Sequence, residues 1–298
     1  MSTLRVNYSL NELCHALGVS RSGYLAWKSR PPCARHLANA QLLNQMRIIH
    51  EHRHTRCYGS PRMTRELQAK GWRCSENRVA RLMRSDGLRA RPRRPFRPKT
   101  TTPDHAAAPS PNLLSSAGEA QAPSQHLLSD ITYIPTAQGW LYLAVVIDRF
   151  SRLILGWKLS NSLHTNIVTA ALDKALASGL VAPGSLFHSD RGCQYSAGQL
   201  RKRLLKAKLV QSMSAKGCCY DNAMAESFFA SFKNEALPEN GRFQSHLTAS
   251  RAIFDYIECF YNRHRRHTSL GGIPPLTFLN CFFQNRQPSL KLTKMTAL

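Results

Sequence analysis

The stretch RPRRPFRPKTTTPDHAAAPSPNLLSSAGEAQAPSQ, residues 91–125, separates two parts of the chain that follow different hydrophobic periods. It is rich in Pro, Ser and Ala and poor in apolar residues, so it reads as a linker, basic at its start and flexible afterwards. Before it, apolar residues recur at helical spacing; after it, they alternate or run on as in strands. The expectation is an all-α part followed by an α/β part. Its divisions are a helical segment at 1–38, a helical unit at 39–95, a linker at 96–125, an α/β core at 126–280 and a tail at 281–298.

In the first segment, NELCHALGVSRSGYLAWKSR predicts two short helices around a tight turn. Leu13, Leu17 and Val19 supply the apolar face, Gly18 ends the first helix, and Ser20 or Ser22 caps the second. Next, NAQLLNQMRIIHEH spaces Leu42, Leu43, Met46 and Ile49 on one helical face. Ser60 then reads as the cap, and Pro61 as the first position, of a helix stopped by Gly71. Ser75 opens a further helix that runs to Gly87. In this last helix Val79, Leu82 and Met83 form the buried stripe, while Arg78, Arg81 and Arg84 point elsewhere. A row of arginines on the second helix of such a pair suits the major groove of DNA.

The charge balance supports that partner. Residues 1–100 hold 21 Lys+Arg against 5 Asp+Glu, and the whole chain carries a formal net charge of +24. Such an excess favours polyanions. No apolar run approaches a spanning helix and the N-terminus lacks a signal peptide's apolar stretch, so a cytoplasmic, nucleoid-associated DNA binder is expected. The 9 cysteines are scattered and never spaced as CxxC, as in free thiols. His50, His52, His54, Cys57 and Cys74 lack the paired spacing of a zinc site.

Beyond the linker, HLLSDITYIPT alternates, with Leu128, Asp130, Thr132 and Ile134 on one strand face. WLYLAVVIDRF and RLILGWKLS follow as further strands, HTNIVTAALDKALASG as a helix, SLFHSD as a short buried strand, SAGQLRKRLLKAKL as a helix and VQSMS as a strand. Helices at about 222–236 and 244–267 complete a mixed five-stranded α/β layer.

Within this unit acids are scarce and oddly placed. Asp130 interrupts a core strand, Asp190 ends another, and Glu226 lies on a helix among core-facing residues, with 35 residues between it and Asp190. Each alone has an ordinary reading as a turn former or a solvated helix residue. Together they would repel one another unless cations neutralised them. Oxygen-only ligands suit Mg2+ or Mn2+, and an acid cluster holding two such ions is equipped for in-line phosphoryl transfer.

The segments SDITYIPTAQGWLYLAVVIDRFSRLILGW, HSDRGCQY and DNAMAESFFASFKNE resemble the catalytic core of DDE transposases, which has a ribonuclease H-like fold. More narrowly, YGSPRMTRELQAKGWRCSENRVARLMRSDGLRA and FYNRHRRHTSLGGIPP resemble the OrfB product of the bacterial IS-three insertion-sequence family. The resemblance covers residues 8 to 280 or so, with helix-turn-helix-like units preceding the core.

By position, it implies that Asp130, Asp190 and Glu226 are the catalytic, metal-binding triad. Lys233, seven residues after Glu226 and about 20° round the same helix face, is implied to touch DNA, as are Arg263, Arg265 and Arg266 in the C-terminal basic stretch. Asp148 matches a family position outside the triad and is given a strand-end role. The implied reaction is DNA cleavage and strand transfer at element ends, dependent on Mg2+ or Mn2+, with two ions. The implied partners are double-stranded DNA, further copies of the chain, and an upstream OrfA-type product or frameshift fusion. The sequence departs from the family at Leu127 (usually Trp), Cys193 (usually Ser) and Cys218-Cys219 (usually Asn-Pro). None of these removes a metal ligand. Two alternatives stand beside this reading, a non-catalytic DNA-binding relic or repressor of transposition and a ribonuclease H-fold nuclease.

Overall fold

The computed structural model describes residues 4–90, 110–164, 166–215 and 222–286. Helices α1 (Leu10–Ala16) and α2 (Arg21–Ser29) form the first hairpin. Ser9 and Glu12 make a reciprocal capping box, Ser20 accepts the Gly23 N–H, and Gly18 turns the chain in the left-handed region at φ +63. The buried contacts differ from those expected. Leu13, Cys14 and Tyr24 are covered, but Leu17 and Val19 remain 58% and 46% exposed, because both lie beyond the end of α1 on the turn.

Helices α3 (Ala34–Glu51), α4 (Ser60–Ala69) and α5 (Glu76–Ser85) enclose Leu42, Met46, Ile49, Met63, Leu67, Val79, Leu82 and Met83. The cap of α4 is Gly59, one residue earlier than the sequence implies. Ser60 is the first helical residue, its hydroxyl directed at Glu76 Oε1, and Pro61 takes the second position, where its missing N–H costs nothing. Ser75 caps α5 as expected, accepting the Arg78 N–H.

The second part is one mixed sheet. Its strands are β1 (His126–Thr136), β2 (Gly139–Asp148), β3 (Ile154–Ser160), β4 (Leu186–Ser189) and β5 (Val210–Met213), in the order β3-β2-β1-β4-β5. The first three form an antiparallel meander; β4 and β5 join in parallel, so β1 is central. One face packs on α6 (Asn166–Ala177) and α8 (Gly198–Lys206), through Leu127, Ala144, Phe187 and Met213. The approach is closest at Gly156, where a Cβ would fall 2.2 Å from the Ala171 carbonyl oxygen. The other face packs on α9 (Ala223–Ala236) and α10 (His246–Phe254), through Ile134, Leu143, Val145 and Ile147.

Two expectations need correction. The segment 110–125 is not free linker. Leu114 is buried against Leu128 and Leu186, and Ser212 Oγ of β5 accepts both the Leu113 and Leu114 N–H groups. This strap covers the outer edge of β5, which would otherwise offer unpaired backbone. The helix expected over 244–267 ends sooner, because α10 passes into a π-helical turn at Asp255–Tyr261 and the chain then leaves the helix. Arg263, Arg265 and Arg266 therefore do not share a helix face. A last helix, α11 (Pro275–Arg286), follows.

The helical unit docks directly on the α/β core. Cys57 and Tyr58 belong to the same apolar cluster as α9 and α10, and His54 Nε2 lies 2.7 Å from Asp255 Oδ2 while its ring stacks on Phe260. Arg62 of α4 reaches Glu235 of α9, and Arg266 reaches Glu66 of α4. Among the described residues, no helix is long and apolar enough to cross a membrane.

Candidate active site

Asp130 and Asp190 are brought together by strand register. The parallel pairing of β1 with β4 runs to Leu128 opposite His188. Two residues further on stand Asp130, within β1, and Asp190, just past the end of β4, so the two aspartates lie at one level. Asp130 Oδ1 accepts its neighbour's N–H, from Ile131, at 2.8 Å. Burial, then the negative charge of Asp190, pushes its carboxyl up to about 8; Glu226 adds to the rise and Lys233 opposes it. Burial also raises Asp190, against the Gly192 N–H that donates to its Oδ1 at 3.0 Å. Gly192 has a specific task here, since a Cβ would sit 3.1 Å from that oxygen.

Glu226 lies exposed in the first turn of α9, and Lys233 lies two turns on. Burial lowers the Lys233 ammonium to about 8, and the Asp130 charge works against that fall. Asp190, Glu226 and Lys233 therefore all act on Asp130, on the central strand.

Among the described residues, no three His, Cys, Asp or Glu side chains stand close enough to enclose one metal ion. Asp130 and Asp190 are adjacent, and Glu226 bears on Asp130 as a charge. The donor chemistry still fits a hard divalent cation. All three side chains offer only oxygen, and the unfavourable charge of Asp130 is the burden that a cation would relieve.

Asp148, the remaining sheet aspartate, serves the fold. It is 1% exposed and accepts hydrogen bonds from the Ser124, Phe150 and Ser151 N–H groups and from the Ser151 hydroxyl. Leu127 is fully buried on β1, where it pairs with Asp148 and Phe187. Cys193 is exposed at the start of the short helix α7 (Cys193–Ser196), and Cys218-Cys219 lies outside the described residues.

The arginines divide. Arg81 and Arg84 are exposed on α5, while Arg78 is half-buried and donates to Asn39 at 2.8 Å. Arg263 is exposed, with Nε directed at the Glu258 carbonyl. Arg266 is half-buried against Glu66 and the Gly272 carbonyl. Arg265 must be withdrawn from the DNA-contacting set, since it is 3% exposed and its guanidinium is spent on Glu235 and His267.

Sequence reasoning passed over the polar floor beneath the carboxylates. His188 is fully buried between Ser212 Oγ at 2.9 Å and Ser214 Oγ at 3.0 Å, and on the opposite face of the sheet Tyr195 meets Ser129. Alternation placed Ser129 and Ser212 on strands, and polar residues at buried strand positions were the available signal.

Comparison with known proteins agrees with this architecture. Residues 120–219 and 207–275 match models of the integrase core domain, and residues 37–96 match an HTH-like domain. Over 277 residues, 93% of this chain and 96% of the other, the sequence is 39% identical to transposase InsF for insertion sequence IS3A of Escherichia coli K12. It is 38% identical to an uncharacterized 31 kDa protein of insertion element IS600 from Shigella sonnei, across 91% of this chain and 99% of that one. The catalytic core domain of BIV integrase covers 55% of this chain and 99% of its own, at 15% identity and a TM-score of 0.41. With an α/β, ribonuclease H-like core behind an HTH-like unit, and relatives matched along nearly its whole length, the chain belongs to the IS3 family of transposases.

Proposed function

We propose that this protein cleaves DNA at insertion-sequence ends and joins the freed strand to target DNA, by divalent-metal-dependent phosphoryl transfer at Asp130, Asp190 and Glu226. The observation that carries this reading is the placement of Asp130 and Asp190 at one level, two residues past the last paired residues of neighbouring strands, under the added charge of Glu226. Two bound Mg2+ or Mn2+ ions would supply activation of the attacking oxygen and stabilisation of the departing one. The chain's own part is to hold Asp130 and Asp190 at one level with Glu226 near enough to bear on Asp130, and to keep Lys233 beside them as a cation for the DNA phosphates. Arg81 and Arg84 on α5, with Arg78 at their edge, are assigned to duplex binding, and Arg263 and Arg266 to flanking phosphates. The active species is assigned as an oligomer of this chain on DNA, with an OrfA-type product or fusion supplying end recognition, in the bacterial cytoplasm on the nucleoid.

The test is a cleavage and strand-transfer assay on element-end DNA with Mg2+. Asp190→Asn and Asp130→Asn are expected to abolish both steps while leaving DNA binding intact. A wild-type protein that binds end DNA and never cuts it, alone or with its upstream product, would favour a repressor. Cleavage without strand transfer would favour a nuclease.

A further inference from the structure

Tyr195 follows Asp190 by five residues and is 2% exposed, yet nothing in the reaction above uses it. Its hydroxyl shares a hydrogen bond of 3.0 Å with Ser129 Oγ. Ser129 is fully buried and immediately precedes Asp130 on β1. The Tyr195 N–H donates to the Gly192 carbonyl at 2.9 Å, and Gly192 in turn holds Asp190 through its own N–H. The Tyr195 carbonyl accepts from Gln211 Nε2, on β5, at 2.8 Å. One residue is thus bonded to the strand that carries Asp130, to the loop that carries Asp190, and to the edge strand beyond.

The place of this tie gives it a purpose. The register between β1 and β4 ends at Leu128 and His188, so both aspartates lie past the last paired residues. Where a ladder stops, the separation of two chains is set by side chains, and mutually repelling carboxylates would tend to widen it. The Ser129–Tyr195 bond spans the two chains at this level.

We propose that Tyr195 is a positioning residue, whose hydroxyl acts through Ser129 to fix the separation of Asp130 and Asp190 and thereby the protein's affinity for a divalent cation. This rests on the reading of those aspartates as the cation's ligands. The ring itself packs in the core with Phe187, Leu200 and Met213, and Tyr195→Phe keeps that packing while deleting only the hydroxyl.

The experiment is Mn2+ binding to the full chain without DNA, by calorimetry or electron paramagnetic resonance, for wild type, Tyr195→Phe, Ser129→Ala, the double variant and Asp190→Asn. Each single variant is expected to weaken Mn2+ binding about tenfold, and the double variant no further, since both remove the same bond. The thermal midpoint should fall by no more than about 4 °C. In cleavage assays the metal concentration for half-maximal rate should rise in step, with the rate at saturating metal recovered. Unchanged Mn2+ affinity in Tyr195→Phe, or additive losses in the double variant, would overturn the tie. Loss of cooperative unfolding in both single variants would also overturn it, because the hydroxyls would then be holding the fold. If Asp190→Asn binds Mn2+ as well as wild type, the ligand reading itself fails, which separates that failure from the failure of the tie.

Discussion

Arg265 and Glu235 form a two-pronged ion pair inside the protein, Nε to Oε2 at 2.7 Å and Nη2 to Oε1 at 2.8 Å, with both side chains 3% exposed. Burial by itself would raise the Glu235 carboxyl. Arg265, with Arg62 and the Tyr256 hydroxyl, more than offsets it and leaves the group below its ordinary value. The pair joins α9 to the turn after the π-helical segment, and Arg62 extends it to α4 of the HTH-like unit. Arg265→Ala would strand a buried carboxylate, with an expected loss of about 3–5 kcal/mol in urea unfolding. Under conditions where the variant stays folded, its salt dependence of DNA binding should match wild type. Arg81→Ala or Arg84→Ala should instead leave stability nearly unchanged and reduce the slope of log K against log salt by about 1.

Asp148 and Asp130 lie on paired strands of one sheet and should respond oppositely to the same change. Asp148 accepts several hydrogen bonds as a buried carboxylate, so Asp148→Asn turns acceptors into donors facing donors. The expected cost is about 1–3 kcal/mol. The charge of Asp130 is opposed by burial and by its acidic neighbours, so Asp130→Asn should be neutral or stabilising in metal-free protein. Urea unfolding in the presence of a chelator checks both. Equal destabilisation by the two substitutions would remove the distinction between a structural aspartate and one proposed to hold a cation.

The layer order and the unusual placement of Asp130 and Asp190 were legible because they break local rules. Asp130 interrupts an apolar strand, and a switch from helical to alternating period marks the domain change. The strap at 110–125 was not legible, since its docking depends on two backbone N–H groups meeting Ser212, which no local pattern encodes. Arg265 was misjudged for a related reason. In RHRRH every cation looks equivalent, and only the buried Glu235, 30 residues earlier, selects one of them for the interior. The Ser129–Tyr195 tie needs the parallel crossover to bring it together, so it too lay beyond local reading.

A divalent cation should stabilise the folded chain. If Asp130, Asp190 and Glu226 hold it, Mg2+ or Mn2+ at 100 times its dissociation constant adds about 2.7 kcal/mol. Thermal unfolding is expected to shift upward with added metal, return on chelation, and lose its metal dependence in Asp190→Asn. A metal-induced shift that survives Asp190→Asn would place the cation elsewhere.

The acid side of the stability curve should be carried in good part by His267. Burial first, then the positive charges of Arg265, Arg62 and Arg152, lowers its imidazole to about 3 from the ordinary 6.5. Arg265 Nη1 lies 3.2 Å from Nε2, an arrangement that requires the neutral ring to accept. Between these two values the unfolded chain binds a proton at His267 that the folded chain refuses. Stability is therefore lost as pH falls from about 6.5 toward 3, with a slope of at most about 1.4 kcal/mol per pH unit for that proton. Most carboxylates stay ionised in both states above about pH 4.5, but Asp130 and Asp190 are raised in the folded protein and add slope of the opposite sign between there and 6.5, so His267 is isolated only by comparison with a variant that lacks it. His54 and His126 are also lowered by burial and contribute with the same sign, so some slope should persist without His267. His267→Gln keeps a hydrogen-bond acceptor for Arg265 and cannot titrate. Urea midpoints for wild type and His267→Gln at half-unit steps of pH are expected to converge toward acid, the variant losing less stability over the same interval. Parallel curves would mean that His267 takes up its proton in the folded protein, and that the Arg265 contact does not hold the ring neutral.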